Sequence, residues 1–272
     1  MSNKWILWPL FSLLMAGCTA SLASTPTSIP EPTPQPEPTV RIHYLGHASF
    51  FFEFDNGLTV LTDYGQSNAF GLDSPIYDLV GIVPDIVTFS HAHPDHHRPG
   101  VTFDESQVLN GTESLSLDGL EITPIRTSEA SIFAPDNSSY LFTYKGLKIL
   151  HLADAQAYIT QIDQPAVREQ VKQLYPDRYD LLLMTIQGVT EFIPQAETFV
   201  NLLQPLRVIP MHYWSPAYKA DFLAYLETQN QQAGKHYVIQ EIGGADYELF
   251  AGETVEPIRV ISLEPAGMSQ TK

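Results

Sequence analysis

The chain has 272 residues, of which 44% are hydrophobic, so it can bury a sizeable core and disorder is excluded for most of it. Its formal net charge is −17, and the acidic residues are scattered rather than gathered in one tail. Nucleic acid is therefore a poor candidate as a partner, because binding it requires a basic surface. Cys18 is the single cysteine, so any metal site must use histidines and carboxylates.

The first eighteen residues have the pattern of a targeting segment. Lys4 supplies a positive charge, and residues 5–14 form an apolar run that is too short to span a bilayer. Ala16 and Gly17 then precede Cys18. This pattern resembles a bacterial lipoprotein signal, which predicts a signal peptide and lipobox over residues 1–18. The protein would then be extracytoplasmic and anchored to the cell membrane by a lipid on Cys18; an ordinary cleaved signal peptide is the alternative.

A spacer follows the targeting segment. Residues 19–39 are rich in proline, threonine and serine, which keep a chain extended and unable to pack. The regularly spaced prolines are Pro26, Pro30, Pro32, Pro34, Pro36 and Pro38. We therefore predict a linker over residues 19–39 and a folded domain over residues 40–272.

The folded domain opens with strands. Residues 41–54 and 58–63 are rich in aromatic and β-branched residues, and Asp55-Asn56-Gly57 between them is a hairpin signal, so they are predicted to form an antiparallel pair. Residues 85–89 read as a short buried strand. Further strands are predicted at 120–125, 140–144 and 148–152, with a turn at Lys145-Gly146.

The second half alternates helix and strand. One helical face includes Val167, Val171 and Leu174, and a second helix, around residues 196–203, ends at Pro205. A third helix begins after Ser215-Pro216, and buried strands are predicted at 180–186 and 207–211. Two halves of sheet plus helix predict an α+β fold, a four-layer αββα sandwich.

Four potential metal ligands come directly after the predicted strand at 85–89, and they are His91, His93, Asp95 and His96. Divalent ions bind imidazole nitrogens and carboxylate oxygens. Alternating residues on an extended loop can direct His91 and His93 at one ion, while Asp95 and His96 turn toward a second position. A solvated, histidine-rich loop is the alternative interpretation.

The pattern H-x-H-x-D-H after a strand resembles the signature of the metallo-β-lactamase superfamily. The opening segment 44–49, Tyr-Leu-Gly-His-Ala-Ser, is similar to the branch that contains L-ascorbate-6-phosphate lactonase and N-acylphosphatidylethanolamine phospholipase D. The resemblance implies that His91 and His93 serve a first metal and that Asp95 and His96 serve a second. It also implies that Asp154 bridges both metals and that His212 completes the second site.

One departure from that family concerns the first metal. The family has another first-site histidine downstream of the cluster. In this chain no histidine occurs between His97 and His151, and Glu129 lies in the corresponding loop. Glu129 would make the site harder and more anionic. Three possibilities follow: a dinuclear site with Glu129 as substitute ligand, a mononuclear site at the second position, or a site without catalysis.

The remaining histidines receive other roles. The resemblance places His47 near the metals, in contact with substrate or with a ligand; a core histidine bonded to the backbone is the alternative. His97 is expected to support the ligand loop. His43, His151 and His236 are assigned to structure.

The resemblance implies a hydrolase that uses metal-activated water, with Asp95 orienting the nucleophile and carrying its proton to the leaving group. The expected cofactors are one or two divalent ions, Zn²⁺ first, with Mn²⁺ or Fe²⁺ as alternatives. The expected substrate is a small-molecule or lipid-like ester, lactone or phosphoester. The competing hypothesis is a metal-binding or ligand-binding lipoprotein of the same fold with reduced or lost catalysis. Nuclease activity is disfavoured by the acidic balance, and β-lactamase activity by the opening segment.

Overall fold

The computed structural model describes residues 37–187, 191–232 and 237–269. The predicted signal peptide, most of the linker and His236 lie outside these residues. In chain order the strands are β1 (Val40–Gly46), β2 (Ser49–Phe54), β3 (Thr59–Thr62), β4 (Leu79–Val80), β5 (Ile86–Thr88), β6 (Gln107–Leu109), β7 (Leu115–Leu117), β8 (Leu120–Thr127), β9 (Asn137–Tyr144), β10 (Leu147–His151), β11 (Leu181–Thr185), β12 (Arg207–Met211), β13 (Tyr237–Glu241), β14 (Asp246–Leu249), β15 (Ile258–Ser262) and β16 (Met268–Ser269). The α-helices are α1 (Gln156–Thr160), α2 (Pro165–Leu174), α3 (Phe192–Leu203) and α4 (Pro216–Asn230).

The first sheet has six strands in the order β14-β1-β2-β3-β5-β6. β2 and β3 are antiparallel, which confirms the predicted hairpin. Residues 41–54 are two strands rather than one, because the backbone turns at Gly46 and His47, whose φ angles are 122° and 51°. β5 and β6 run parallel to β3.

The second sheet has eight strands in the order β13-β15-β12-β11-β10-β9-β8-β7. β7 to β10 form an antiparallel series, whereas β10, β11, β12 and β15 are parallel neighbours. The predicted strands at 120–125, 140–144, 148–152, 180–186 and 207–211 are confirmed, with ends that agree to within three residues. The three predicted helices are confirmed as α2, α3 and α4.

The main core lies between the two sheets. β2 has alternating side chains, and Phe50, Phe52 and Phe54 belong to the large core cluster. Phe52 meets Phe142 of β9 edge to face, with ring centroids 5.4 Å apart. Phe51 points the other way into a smaller cluster on the outer face of the first sheet. Because apolar clusters cover both faces of β2, four of its six residues are phenylalanine.

The outer layers differ between the two sheets. All four α-helices come after β10, and α3 and α4 contact strands β11 and β13 of the second sheet. In the described residues before β10, a three-residue 3₁₀ turn (Ala69–Gly71) is the only helical segment. The outer face of the first sheet is therefore covered by non-helical chain carrying residues such as Ile76 and Phe103. No helix within the described ranges is long and apolar enough to cross a bilayer.

Several strands end at one edge of the sandwich. β3 and β5 are parallel, and Thr62 lies opposite Thr88 at their last positions. β11 and β12 are parallel, and Thr185 lies opposite Met211. The loops after parallel strands leave the same edge, which is where α/β proteins place functional residues. The topology thus brings the loop 89–97 to the loops that follow β10, β11 and β12.

Candidate metal centre

The loop after β5 is folded into a compact turn that fixes its ligands. The backbone N–H groups of His96 and His97 both donate to the carbonyl oxygen of His93, at 3.0 and 2.8 Å. A second loop closes over it: Gln66 N donates to Pro94 O at 2.6 Å. A Cβ on Gly65 would lie 1.8 Å from the carbonyl oxygen of Asp95. Only glycine fits this approach.

The first predicted position holds His91, His93 and Glu129. Glu129 Oε2 lies 3.1 Å from His93 Nδ1 and 3.6 Å from His91 Nε2. Their three donor atoms all lie within 4.8 Å of one another. The backbone of Glu129 is fixed by a hydrogen bond, because its N–H donates to Asp136 Oδ1 at 2.8 Å. The structure therefore brings Glu129 to the place where the missing histidine was expected.

The second predicted position holds Asp95, His96 and His212. His96 Nε2 faces His212 Nε2 at 3.0 Å, and Asp95 Oδ2 lies 3.8 Å from the first and 4.0 Å from the second. Asp154 Oδ2 lies 3.6 Å from His212 Nε2. Asp154 also forms a ligand-spaced group with His91 and His96, so it lies between the two positions.

The donor set fits divalent metal ions. His91 Nε2 and Asp95 Oδ1 are buried, and neither has a hydrogen-bond partner among the described residues. Buried polar atoms are rarely left without a hydrogen-bond partner. Two such atoms that converge with other donor atoms therefore indicate a site for a metal ion. Imidazole nitrogens and carboxylate oxygens suit zinc, iron or manganese. His91, His93 and Glu129 would hold one ion, Asp95, His96 and His212 would hold another, and Asp154 would serve both.

Burial sets the protonation of these groups. It lowers the pKa of His91 to about 3 and that of His212 well below its usual range, so both imidazoles are neutral at pH 7, as metal ligands must be. Burial likewise raises the pKa of Asp154 to about 8. Burial also opposes the charged form of His96, but the Asp63 carboxylate beside it raises the pKa of His96 to about 9. At pH 7 the metal-free protein would thus carry a proton on both His96 and Asp154, and metal binding would displace both.

Four residues at the centre have left-handed backbone angles that non-glycine residues seldom adopt. They are His47, Asp63, Ala153 and His212, with φ between 38° and 56°. Such strain persists only where the surrounding structure enforces it, and it concentrates at functional sites. The same edge of the sandwich carries all four.

The side chain of His47 bonds a predicted metal ligand and a serine, so His47 is not a core histidine bonded to the backbone. Its Nε2 lies 3.2 Å from Asp95 Oδ2, and its Nδ1 lies 2.8 Å from Ser74 Oγ. Burial lowers the pKa of His47, so the ring is neutral. The neutral tautomer that donates from Nε2 to Asp95 can accept at Nδ1 from Ser74. His47 thus orients a predicted ligand.

The other described histidines, which are His43, His97 and His151, lie outside the cluster. His43 bonds Asp246 and the Ala266 carbonyl oxygen at 2.7 and 2.8 Å. His151 bonds the Ala48 carbonyl oxygen at 2.8 Å. His97 stacks on Phe89 with ring centroids 4.0 Å apart, which braces the ligand loop.

Two further residues at the centre are not predicted from the sequence. Asp63 follows β3 and accepts from His96 Nδ1 at 2.8 Å and from Ser90 N at 2.7 Å. Gln187 follows β11, and its Nε2 donates to Asp154 Oδ1 at 3.1 Å. Each comes shortly after the end of a strand of the structure, as the predicted ligands His91, Asp154 and His212 do. The sequence pattern hides Asp63 because it extends the predicted strand by one residue, to position 63.

Replacing Asp63 with asparagine is expected to weaken metal binding by about 10–100-fold, because carboxylates that orient a histidine ligand have effects of that size. Metal affinity is measured by competition with a chromogenic chelator. The matched control is Asp85→Asn. Asp85 precedes β5 and accepts hydrogen bonds from Thr59 of β3, at the end of these two strands that lies away from Asp63. An unchanged affinity in Asp63→Asn would show that His96 does not depend on this carboxylate.

A cavity of about 420 Å³ opens onto the centre. Its polar lining includes His93, Asp95, Glu129, Asp154 and His212, together with Gln156 and Gln187. Its apolar lining consists of Phe70, Leu72 and Trp214. This volume lies within the range of small-molecule sites.

Known proteins are similar to this chain in sequence. A family model described as "Beta-lactamase superfamily domain" matches residues 41–212, well over half of the chain. A UPF0173 metal-dependent hydrolase from Thermococcus onnurineus is 24% identical over 212 residues, covering 65% of this chain and 87% of that protein. A second one, from Methanobrevibacter smithii, is 23% identical over 206 residues, covering 64% and 82%.

Solved structures agree on the fold. A candidate Zn-dependent hydrolase of the metallo-β-lactamase superfamily from Thermotoga maritima has a TM-score of 0.54 and 24% identity, covering 83% of this chain and all of that one. At this identity the likeness concerns the fold, and it confirms the predicted α+β sandwich. The family model covers every predicted ligand from His91 to His212. This chain therefore belongs to the metallo-β-lactamase superfamily.

Proposed function

We propose that this chain is a metal-dependent hydrolase that cleaves an ester, lactone or phosphoester bond in a small-molecule or lipid-like substrate outside the cytoplasm. One observation carries the proposal: the buried donors of Asp95, His96, Asp154 and His212 converge beside an open cavity. The relatives from two archaea, both named metal-dependent hydrolases, support the reaction type. The resemblance of segment 44–49 supports placement in the lactonase and phospholipase D branch.

The residues of the centre have separate tasks. A bound divalent cation would supply Lewis-acid polarisation of the substrate and a lowered pKa of water. Burial disfavours the carboxylate of Asp95, yet the His47 hydrogen bond and the neighbouring imidazoles hold the pKa of Asp95 below its usual range. Asp95 is thus ionised, so one of its carboxylate oxygens can hold metal while the other accepts a proton and returns it to the leaving group. His47 fixes Oδ2 of that carboxylate by its hydrogen bond.

The second candidate is a binding protein of the same fold with reduced catalysis. It is favoured by Glu129 at the first position and by His93, whose side chain is 50% exposed. The predicted lipid on Cys18 belongs to both candidates and stays a prediction. We infer that it would hold the domain at the cell membrane, with no nucleic acid as partner.

Hydrolysis of a panel of p-nitrophenyl esters, a lactone and bis(p-nitrophenyl) phosphate distinguishes the two candidates. The protein is stripped with a chelator and reloaded with Zn²⁺, Mn²⁺ or Fe²⁺, and bound metal is quantified in parallel. We expect turnover of at least one substrate to disappear on stripping and to return on loading. Bound metal without turnover of any substrate would favour the binding protein. Failure to retain any ion would contradict the hydrolase and a metal-binding protein, and would leave only a ligand-binding protein of the same fold.

A further inference from the structure

The cavity beside the metal centre has an apolar wall formed by Phe70, Leu72 and Trp214. The backbone N–H of Asp73 donates to the carbonyl oxygen of Trp214 at 3.0 Å, which ties the loop carrying Phe70 and Leu72 to the segment carrying Trp214. The Phe70 ring reaches the metal ligands, with its centroid 6.1 Å from that of His93. The wall therefore adjoins the place where a scissile bond would lie.

Packing in the hydrophobic core does not explain the position of Phe70. Its side chain is 69% exposed, and its φ is 56°, a left-handed value that is costly for a bulky residue. Neither core cluster includes it. An exposed aromatic residue in a strained conformation at the mouth of a site indicates contact with a ligand.

The charge of the cavity argues against an anionic substrate. Its lining residues contribute the carboxylates of Asp95, Glu129 and Asp154, and Asp63 adds a fourth directly behind His96. Two divalent cations would be balanced by these four negative charges. Among the described residues that line the cavity, none is a lysine or an arginine. Phosphate groups in proteins are usually bound by such cationic side chains.

The neutral polar groups suit an uncharged substrate. Gln187 is buried and is held by its hydrogen bond to Asp154 Oδ1. Gln156 is half-buried at the start of α1 and also lines the cavity. Amide groups can donate to and accept from a carbonyl or hydroxyl group without requiring charge.

We propose that the substrate is a neutral carboxylic ester or lactone with an apolar chain, and that the chain lies on Phe70, Leu72 and Trp214. Phosphoesters are not substrates. This inference rests on the proposed hydrolase function and narrows its substrate class. Hydrolysis breaks the acyl C–O bond, adds the oxygen of water to the acyl carbon and delivers a proton to the leaving oxygen. The products are a carboxylic acid and an alcohol, or a hydroxy acid from a lactone.

The first test uses the full-length, metal-loaded chain and p-nitrophenyl acetate, butyrate, octanoate and phosphate. We expect KM to fall by about tenfold or more from acetate to octanoate, because each buried methylene favours binding. We expect no metal-dependent turnover of the phosphate. Phe70→Ala is expected to raise KM for octanoate by about tenfold, with little effect on kcat. The control is Phe133→Ala, since Phe133 is 86% exposed but does not line the cavity.

The second test measures binding without turnover. Trp214 lines the cavity, and the chain's other tryptophans are Trp5 and Trp8. We expect 2-octanone to change the fluorescence of the full-length chain, acetone to change it less, and Trp214→Phe to remove the response. Phe70→Ala should weaken 2-octanone binding by about tenfold, whether or not metal is present.

The outcomes separate this inference from the hydrolase proposal. Ketone binding that depends on Phe70, without turnover, would support the apolar wall while the hydrolase proposal fails. Ester turnover that is indifferent to chain length and to Phe70→Ala would overturn the wall and leave the hydrolase proposal intact. Turnover of the phosphate as efficient as that of octanoate would overturn the inference.

Discussion

Replacing Asp154 with asparagine is expected to reduce metal-dependent turnover by more than about 100-fold, beyond the loss caused by residues that only support a ligand. The Asp154 carboxylate lies 3.6 Å from His212 Nε2 and forms a ligand-spaced group with His91 and His96. An amide oxygen is a poorer ligand for these ions and carries no charge. Both predicted metal positions would therefore lose a shared ligand.

The same substitution is expected to leave the metal-free protein as stable as the parent, or more stable. Burial and the nearby carboxylates of Glu129 and Asp95 raise the pKa of Asp154 to about 8, so at pH 7 the metal-free protein carries it mainly as the neutral acid. Asparagine matches that neutral acid in charge and closely in shape, so the substitution adds no unfavourable charge. If Asp154 is a metal ligand, replacing it should therefore have two opposite effects. Thermal stability without metal should be unchanged or higher, and the gain in stability when metal is added should be smaller.

Differential scanning fluorimetry with and without Zn²⁺ or Mn²⁺ measures both effects. The control is Asp163→Asn, because Asp163 is exposed and pairs only loosely with Arg168, at 3.6 Å. A structural role for Asp154 would instead lower stability equally in both conditions. That result, with turnover retained, would remove Asp154 from the metal centre.

Strand ends explain why most of the site is predictable. His91, Asp154 and His212 each come shortly after a segment whose composition predicts a buried strand. Because those strands are parallel within each sheet, their ends meet, and local patterns are enough to group distant residues. Applied to the strand that precedes Asp63, the same rule finds the carboxylate that orients His96.

Other features depend on contacts that no local pattern encodes. β14 pairs with β1 although about two hundred residues separate them, with Val40 opposite Leu249. For this reason β14 is not predicted, and neither is β16, which pairs with the distant β4. The apolar wall joins Phe70 to Trp214 through a single backbone hydrogen bond between their loops. The predicted outer helical layer over the first sheet is replaced by loops, whose packing depends on scattered residues such as Tyr64 and Phe89.

Replacing Gly65 with alanine is expected to damage the metal centre although Gly65 is not a ligand. The new Cβ would lie 1.8 Å from the Asp95 carbonyl oxygen, 2.1 Å from its carbonyl carbon and 2.7 Å from His96 N. All three are backbone atoms, so no side-chain rotation can relieve the overlap. The loop that carries Asp95 and His96 must move, or the loop after β3 must.

Two losses should follow from that movement. Overpacking of this kind costs about 1–3 kcal/mol of stability. Displacing two ligands of one ion should weaken metal binding by at least about 100-fold, because displacements near 1 Å already have effects of that size on assembled sites. Urea unfolding and chelator competition measure the two quantities.

The matched control is Gly244→Ala. A Cβ added at Gly244 would meet no other atom within 4 Å, and Gly244 has no left-handed φ, so alanine should be neutral or should stabilise the chain by about 0.4–1 kcal/mol. If Gly65→Ala bound metal as tightly as Gly244→Ala, the two loops would not be packed as the structure shows. Asp95 and His96 would then be held by some other contact, and backbone packing between the loops would not be what pre-forms the metal centre.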